Sequence, residues 1–236
     1  PKYHADLGDL YNNEATGVGQ AKTDNTKQLE FLRKSLIVRE RLVRLMPDDA
    51  EARLGYGGSL NNIAIQLKED RNAESLALIQ RAVEQSEAAL RLRPAHLLTA
   101  RYLTIGLNNV ANKAKLVGET EVVLAAHRRR VEVLGRRARD NPTIAGFDAE
   151  LAAGYTSLLV ELRDAGRLEE AAKSADKARA RLAETTEEST VFFGQVLGLH
   201  LTVHAVALAR AKADPDAELD SEPEAAAAVH AVRQYV

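Results

Sequence analysis

The chain has 236 residues, of which 45% are hydrophobic and 28% are charged, and this balance excludes disorder over most of the length. Its 32 basic and 34 acidic residues leave a net charge of −2, so the overall charge gives no indication of nucleic-acid binding. The lack of cysteine excludes disulfides, thiolate zinc sites and a cysteine nucleophile. No apolar run has the length of a membrane helix, and no charged-then-apolar leader opens the chain. We therefore predict a cytoplasmic protein without membrane contact.

The residue types favour helices along the whole chain. Aromatic residues make up only 4% and tryptophan is absent, whereas Ala, Leu, Arg and Glu, which form helices well, dominate. No run of alternating β-branched residues between turn residues indicates a strand. The sequence therefore predicts an all-α protein.

Three nearly evenly spaced prolines indicate an internal repeat. Pro47, Pro94 and Pro142 are separated by 47 and 48 residues, and each ends one helical pattern and precedes another. When the segments are aligned at these prolines, Leu60, Leu107 and Tyr155 coincide, and apolar residues recur at offsets 3, 4 and 7 from them. This spacing predicts one buried helix face per repeat, with those three residues packed between repeats.

Each repeat is predicted to be a pair of antiparallel helices separated by a break about 24 residues after its proline. Gly166 marks the clearest break. The second helices are predicted at about 28–46, 73–92, 120–139 and 168–184. The predicted units are 1–46, 47–93, 94–141 and 142–186, followed by a long packing or capping helix at 187–213, an acidic linker at 214–224 and a C-terminal helix at 225–236. Because one hairpin cannot bury its own apolar face, we predict a right-handed α-solenoid of about four stacked hairpins.

The fourth repeat resembles the tetratricopeptide repeat, a helix-turn-helix with large and small residues at set offsets. The matching positions are Tyr155, Leu159, Leu162, Gly166, Ala171, Ala175 and Ala178. The other repeats match less closely, and the period of 47–48 exceeds the usual length of that repeat. The long period, the recurring asparagine pairs and an arginine shortly before each boundary proline resemble repeat regions attached to bacterial serine/threonine kinases. The resemblance implies a binding scaffold, and no kinase motif stands in this sequence.

No residue pattern predicts catalysis, a metal or a cofactor. His200 and His204 are four residues apart on a predicted helix, but the adjacent glutamate of a zinc-binding phrase is missing and their neighbours are apolar. We therefore predict packing or surface histidines there, and no catalytic residues in the chain.

The stretch 113–139 is strongly basic. It carries eight basic and three acidic side chains, a net charge of +5, and it includes Arg128, Arg129 and Arg130. A solvated outer helix face is the favoured interpretation. A patch for an acidic peptide or phosphopeptide, or for the chain's own acidic linker, is the alternative. Nucleic acid is not expected, because no aromatic residues interleave with the bases.

The paired asparagines allow two interpretations. Asn61-Asn62 and Asn108-Asn109 recur in phase, and Asn12-Asn13 matches them one repeat earlier. A hydrogen-bonded ladder between repeats is favoured, since a residue shared by the repeats usually serves the shared architecture. In the family that the repeats resemble, an asparagine near this phase can instead hold a bound peptide. On that interpretation Asn61 and Asn108 line the concave face.

The predicted function is a non-catalytic scaffold that binds a protein or peptide on a concave helical surface. Arg53 and Arg101 are predicted to lie with the asparagines on that surface, and the basic stretch favours an acidic partner. Two alternatives stay open: a regulatory or sensor region of a larger bacterial serine/threonine kinase, and a regulator that binds a small ligand.

Overall fold

The computed structural model describes residues 2–20 and 25–182, and in this part of the chain every regular element is a helix. The helices are α1 Lys2–Gln20, α2 Asn25–Leu45, α3 Ala50–Gln66, α4 Asn72–Leu92, α5 Leu97–Leu116, α6 Thr120–Asp140, α7 Ala145–Asp164 and α8 Leu168–Leu182, with a 3-10 turn at Glu69–Arg71. The all-α prediction is confirmed for these residues. The segments predicted at 187–213, 214–224 and 225–236 lie outside them.

The chain forms two compact units, Pro1–Ala126 and His127–Val236, which we call the first and the second unit. In the first unit, α1 packs against α2, α2 against α3, α3 against α4, and α4 against α5. In the second unit, α7 packs against α8. The part of α6 from His127 onward meets α7 closely, since a Cβ added to Gly154 would lie 2.9 Å from Leu134 Cδ1.

The helix ends follow the predicted signals. Pro47, Pro94 and Pro142 each lie between two helices. Gly118 and Gly166 have φ angles of 78° and 72°, in the left-handed region that glycine adopts without strain. Their conformation lets the next backbone N–H turn back: Glu119 donates to the carbonyl of Ala114, and Arg167 donates to that of Leu162.

Apolar burial in the first unit agrees with the predicted helix face. Leu60 is fully buried and Leu107 is 4% exposed, as predicted. Leu60 packs with Tyr56 and Ala82, so it joins α3 to α4. The repeated apolar offsets therefore describe the side of the first helices that the core covers.

The second unit has a core of leucines and alanines between α7 and α8. Its deeply buried side chains include Leu151, Leu159, Leu162, Ala171 and Ala178. Tyr155 is only half-buried, so its predicted burial is wrong. Leu158 and Leu159, three and four residues on, are the side chains that α7 buries at this level.

None of the helices in the described ranges is long and apolar enough to cross a membrane.

Candidate functional site: a groove in the first unit

A groove of about 650 Å³ opens in the first unit, and α1, α3 and α5 supply most of its lining. These are the helices that the repeat analysis places first in each hairpin. α3 contributes Gly55 and Gly58, and the lack of side chains at these two positions widens the groove above that helix. The first helices therefore form most of the groove, and residues of α2, α4 and the loop before α3 complete it.

One wall of the groove is an apolar stripe on α5. Leu98, Tyr102 and Ile105 line the groove and are 43%, 47% and 43% exposed. Their spacing of four and three residues places them on one face of the helix. Large apolar side chains that stay this exposed in one row mark a contact surface more often than scattered ones do. The stripe gives the groove a place for an apolar side chain.

Two hydrogen bonds between asparagine side chains form a ladder at the groove. Asn62 Nδ2 donates to Asn12 Oδ1 at 2.8 Å, which joins α3 to α1. Asn109 Nδ2 donates to Asn61 Oδ1 at 2.9 Å, which joins α5 to α3. In both steps the second asparagine of one pair bonds to the first asparagine of the preceding pair. The geometry supports the favoured ladder interpretation, because the bonds connect neighbouring repeats in the same register.

Asn61 takes part in this ladder and lines the groove, whereas Asn108 does neither among the described residues. Asn61 both accepts a ladder bond and lines the groove, so the two interpretations of the asparagines are compatible there. Asn108 is half-buried, and no hydrogen bond joins its side chain to a described residue. One repeat further along, the position of Asn109 is occupied by Ser157, whose hydroxyl donates within its own helix to the carbonyl of Ala153.

An arginine from a second helix reaches the groove. Arg39 of α2 lines it, although the side chain is only 11% exposed. Its Nη1 donates to the carbonyl of Gly55 at 2.9 Å and to Ser59 Oγ at 3.0 Å, and its Nη2 donates to Asp9. Asp9 is 67% exposed and also lines the groove. At the groove, a nearly buried guanidinium is therefore paired with an exposed carboxylate.

Two acidic residues at the groove already have partners. Asp49 caps α3, because its Oδ1 accepts from the backbone N–H groups of Glu51 and Ala52 at 2.8 and 3.0 Å. The Glu51 carboxylate accepts from Arg93 at 3.1 Å. Both carboxylates therefore have roles in holding α3 in place.

The two arginines predicted for this surface lie beside the groove and are not part of its lining. Arg53 donates from Nε to the carbonyl of Pro47 at 2.7 Å and from Nη1 to Gln85 at 3.0 Å, which directs it to the preceding loop and to α4. Arg101 is exposed on α5, next to Tyr102. Arg53 thus holds α3 against its neighbours, and Arg101 is the one of the two that is available to a ligand.

The three consecutive arginines lie in the second unit, and two of them are paired with glutamates. Arg128 holds Glu170 of α8 by two bonds, Nε to Oε1 at 2.6 Å and Nη2 to Oε2 at 2.8 Å. This hydrogen bonding keeps the pKa of the Glu170 carboxyl below its usual value. Arg129 donates to Glu132 at 2.7 Å and lowers the pKa of that carboxyl in the same way. The net charge of the stretch 113–139 omits Glu170, so it overstates the positive charge available to a partner.

Arg130 differs from its two neighbours. It is half-buried, and its enclosed Nε has no hydrogen-bond partner among the described residues. Burial lowers the pKa of Arg130, and Glu150 opposes that effect. Arg137, two turns further along α6, lies over the Phe147 ring at 3.7 Å and donates to Glu150. Arg130 and Arg137 are therefore largely buried within the second unit. The interpretation of 113–139 as a solvated face does not hold for these two side chains.

Within residues 2–20 and 25–182, no cluster of three or more His, Asp or Glu side chains is placed to hold a metal ion. His200 and His204 lie outside these ranges. No model of a known protein family matches the chain. A search of curated proteins also finds no significant match.

Sequence reasoning missed Arg39, Asp9 and the stripe on α5. The stripe could have been found, because Leu98, Tyr102 and Ile105 lie on a different helix face from the buried Leu103 and Leu107. Arg39 gives no such signal, since its place in the groove depends on helices that come before and after it in the chain.

Proposed function

We propose that this chain is a non-catalytic scaffold whose first unit binds a peptide or a segment of another protein in the groove. The observation that carries this proposal is the row of exposed apolar side chains on α5 facing a groove of about 650 Å³. A bound apolar side chain would remove this surface from water, which favours binding by about 25 cal/mol per Å².

We further propose that the helices are stacked as hairpins in a solenoid like that of tetratricopeptide repeats, with the groove as part of its concave face. The packing of successive helices in the first unit supports this arrangement. The asparagine ladder supports it as well, because both bonds, at intervals of 50 and 48 residues, join the second asparagine of one pair to the first asparagine of the preceding pair. In such arrays the concave face is an extended binding surface.

The groove offers a peptide three kinds of contact. The α5 stripe takes apolar side chains, the amide of Asn61 reaches the floor, and Arg39 with Asp9 supplies charged groups on the α1 side. A backbone in the groove would exchange its bonds to water for bonds to these groups, which keeps its polar atoms satisfied. This combination of apolar and polar contacts suits a peptide better than a uniformly apolar compound.

A small-molecule ligand is the second candidate, because the groove volume lies within the range of small-molecule sites, about 300–1,000 Å³. It would make this chain a ligand-responsive regulator. The regulatory role beside a kinase stays a prediction, to be tested on the sequence that surrounds this chain in its genome.

The test is the selection of peptides from a random phage-displayed library on the full chain. The affinities of the selected peptides are then measured by fluorescence anisotropy. We expect Ile105→Glu to weaken binding at least about tenfold, because it places a charge where an apolar side chain binds. Ile37→Glu is the matched control: Ile37 is 66% exposed on α2 and is not part of the groove lining. Selected peptides that bind both variants equally well would contradict the proposal. Failure to select any peptide would also contradict it and would favour a small ligand.

A further inference from the structure

We propose that Arg39 recognises an acidic side chain of the bound peptide, and that Asp9 occupies the same guanidinium until the ligand carboxylate displaces it. This inference rests on the proposed function, because it names the chemistry of the ligand that the groove takes. The geometry that carries it is the position of the Arg39 guanidinium. This nearly buried group lines the groove, and the exposed carboxylate of Asp9 binds it there.

Two glycines on different helices make room for the Arg39 side chain. A Cβ on Gly8 would lie 2.9 Å from Arg39 Cγ and 3.0 Å from Nε, and a Cβ on Gly55 would lie 3.5 Å from Cδ. The side chain therefore passes between α1 and α3 to the groove. At the equivalent positions of the next second helices stand Ser86 and Leu134. Since these helices pack without an arginine there, the packing of helices does not explain Arg39.

The guanidinium keeps donor capacity for a ligand. Its recorded bonds go to Gly55, Ser59 and Asp9, and a guanidinium has more N–H groups than these three contacts use. The contacts to Gly55 and Ser59 lie inside the unit and hold the group in a fixed orientation. Planar N–H pairs of this kind match a carboxylate in two-pronged geometry.

Asp9 is a contact that a ligand can replace. The Asp9 side chain is 67% exposed, so its carboxylate returns to water at little cost when it leaves Arg39. Arg39 is 11% exposed, so it stays desolvated whichever carboxylate it holds. The exchange of one carboxylate for another keeps the buried charge neutralised throughout.

The charges around the groove agree with an acidic ligand. Asp49 and Glu51 are engaged in the helix cap and with Arg93. Lys2 lines the groove and Arg101 is exposed beside its apolar wall, and neither forms an ion pair with another described residue. Lys2 and Arg101 are thus cations without an acidic partner among the described residues, and they favour a ligand carboxylate over an ammonium group.

The experiment uses the full chain and the same library, displayed by fusion of each peptide's C-terminus to the coat protein. Because no C-terminal carboxylate is then available, enriched Asp or Glu reports a side-chain contact. We expect selected peptides to carry Asp or Glu beside an apolar residue. Replacing that acid by its amide should weaken binding about tenfold, the value of one good charged hydrogen-bonded pair.

Two variants of the chain should change the affinity for the acidic peptide in opposite directions. Arg39→Lys keeps the stem between the glycines and the charge but loses the planar donors, so the preference for the acidic over the amide peptide should largely disappear. Asp9→Asn removes the competitor and should tighten the acidic peptide about threefold while leaving the amide peptide unchanged. Asp9 is exposed, so this second variant tests the proposal even if Arg39→Lys fails to fold.

The failure of this inference differs from the failure of the proposed function. Peptides that need Ile105 but show no preference for Asp or Glu, or a preference that survives Arg39→Lys, would overturn the role of Arg39 and leave groove binding intact. An acidic peptide that binds Asp9→Asn no more tightly than wild type would overturn the competitor role. Peptides that ignore Ile105→Glu would overturn both proposals.

Discussion

The two units use their arginines in different ways. In the second unit, Arg128 and Arg137 are each held by a glutamate from another helix of that unit, Glu170 and Glu150. In the first unit, Arg39 faces a groove and its charged partner is an exposed aspartate. A run of basic residues in the sequence is thus an unreliable sign of a free positive surface in the folded chain. The difference lies in what the neighbouring helices place opposite each charge.

The largest expected effect is a loss of stability on truncating a core side chain, and it should differ between the two units. Leu107→Ala should lower the free energy of unfolding by about 2–5 kcal/mol, because Leu107 is 4% exposed and its loss leaves a cavity. Tyr155→Ala, at the equivalent register position, should cost less, since Tyr155 is half-buried. Urea unfolding followed by circular dichroism measures both. A cost for Tyr155→Ala equal to that of Leu107→Ala would contradict the burial difference.

Charge removal should distinguish the enclosed arginine of the second unit from the surface ones. Glu150→Gln should destabilise the chain by about 1–3 kcal/mol, because Arg137, 8% exposed in its side chain, would lose its charged partner. Glu132→Gln is the matched control, since Glu132 joins Arg129 and Arg136 on an exposed surface and should cost at most about 1 kcal/mol. Thermal and urea unfolding of the pair give the comparison, and equal costs would show that Arg137 is not enclosed.

The path of Arg39 in the first unit can be tested at two glycines of α1. Gly17→Ala should stabilise the chain by about 0.5–1 kcal/mol, because alanine favours a helix and no atom of the described residues lies within 4 Å of the new Cβ. Gly8→Ala should lose this gain or reverse it, because its Cβ would lie 2.9 Å from Arg39 Cγ. Unfolding midpoints of the two variants decide the matter. A Gly8→Ala variant as stable as Gly17→Ala would mean that Arg39 does not pass between α1 and α3.

The smallest effect concerns the pair that neutralises the basic stretch. Arg128 lowers the pKa of Glu170, so the pair stabilises the folded chain at neutral pH and loses its effect as the pH falls below the usual carboxyl value of 4.5. Wild type should exceed Glu170→Gln in stability by about 0.5–1 kcal/mol at pH 7, and this excess should shrink as the pH falls from 4.5 towards 3. Unfolding curves across this range check the sign. A difference that grows on acidification would contradict the pairing.

Much of the fold follows from local signals in the sequence. The apolar offsets within each repeat identify Leu60 and Leu107 as buried, and Gly118 and Gly166 end helices because left-handed backbone favours glycine. The asparagine pairs were predictable as a ladder because they recur in phase. These features depend on spacing within one repeat or on its regular recurrence, and both can be read from the chain directly.

The site was less predictable, because its partners come from distant positions. Arg128 meets Glu170, 42 residues further along, and Arg39 passes glycines on helices before and after its own. No local period encodes such pairings. Composition could therefore indicate a basic stretch in 113–139 but could not show that glutamates of another repeat neutralise part of it.

The most direct test of groove binding is the position of a bound peptide. A selected peptide carrying a photoactivatable benzophenone in place of its apolar anchor is irradiated with the full chain, and the adduct is mapped by mass spectrometry. We predict adducts on α5 at Leu98, Tyr102 or Ile105 and on the facing groove residues of α1 and α3. Adducts confined to the arginines at 128–130, or to the segment 187–213, would contradict the account.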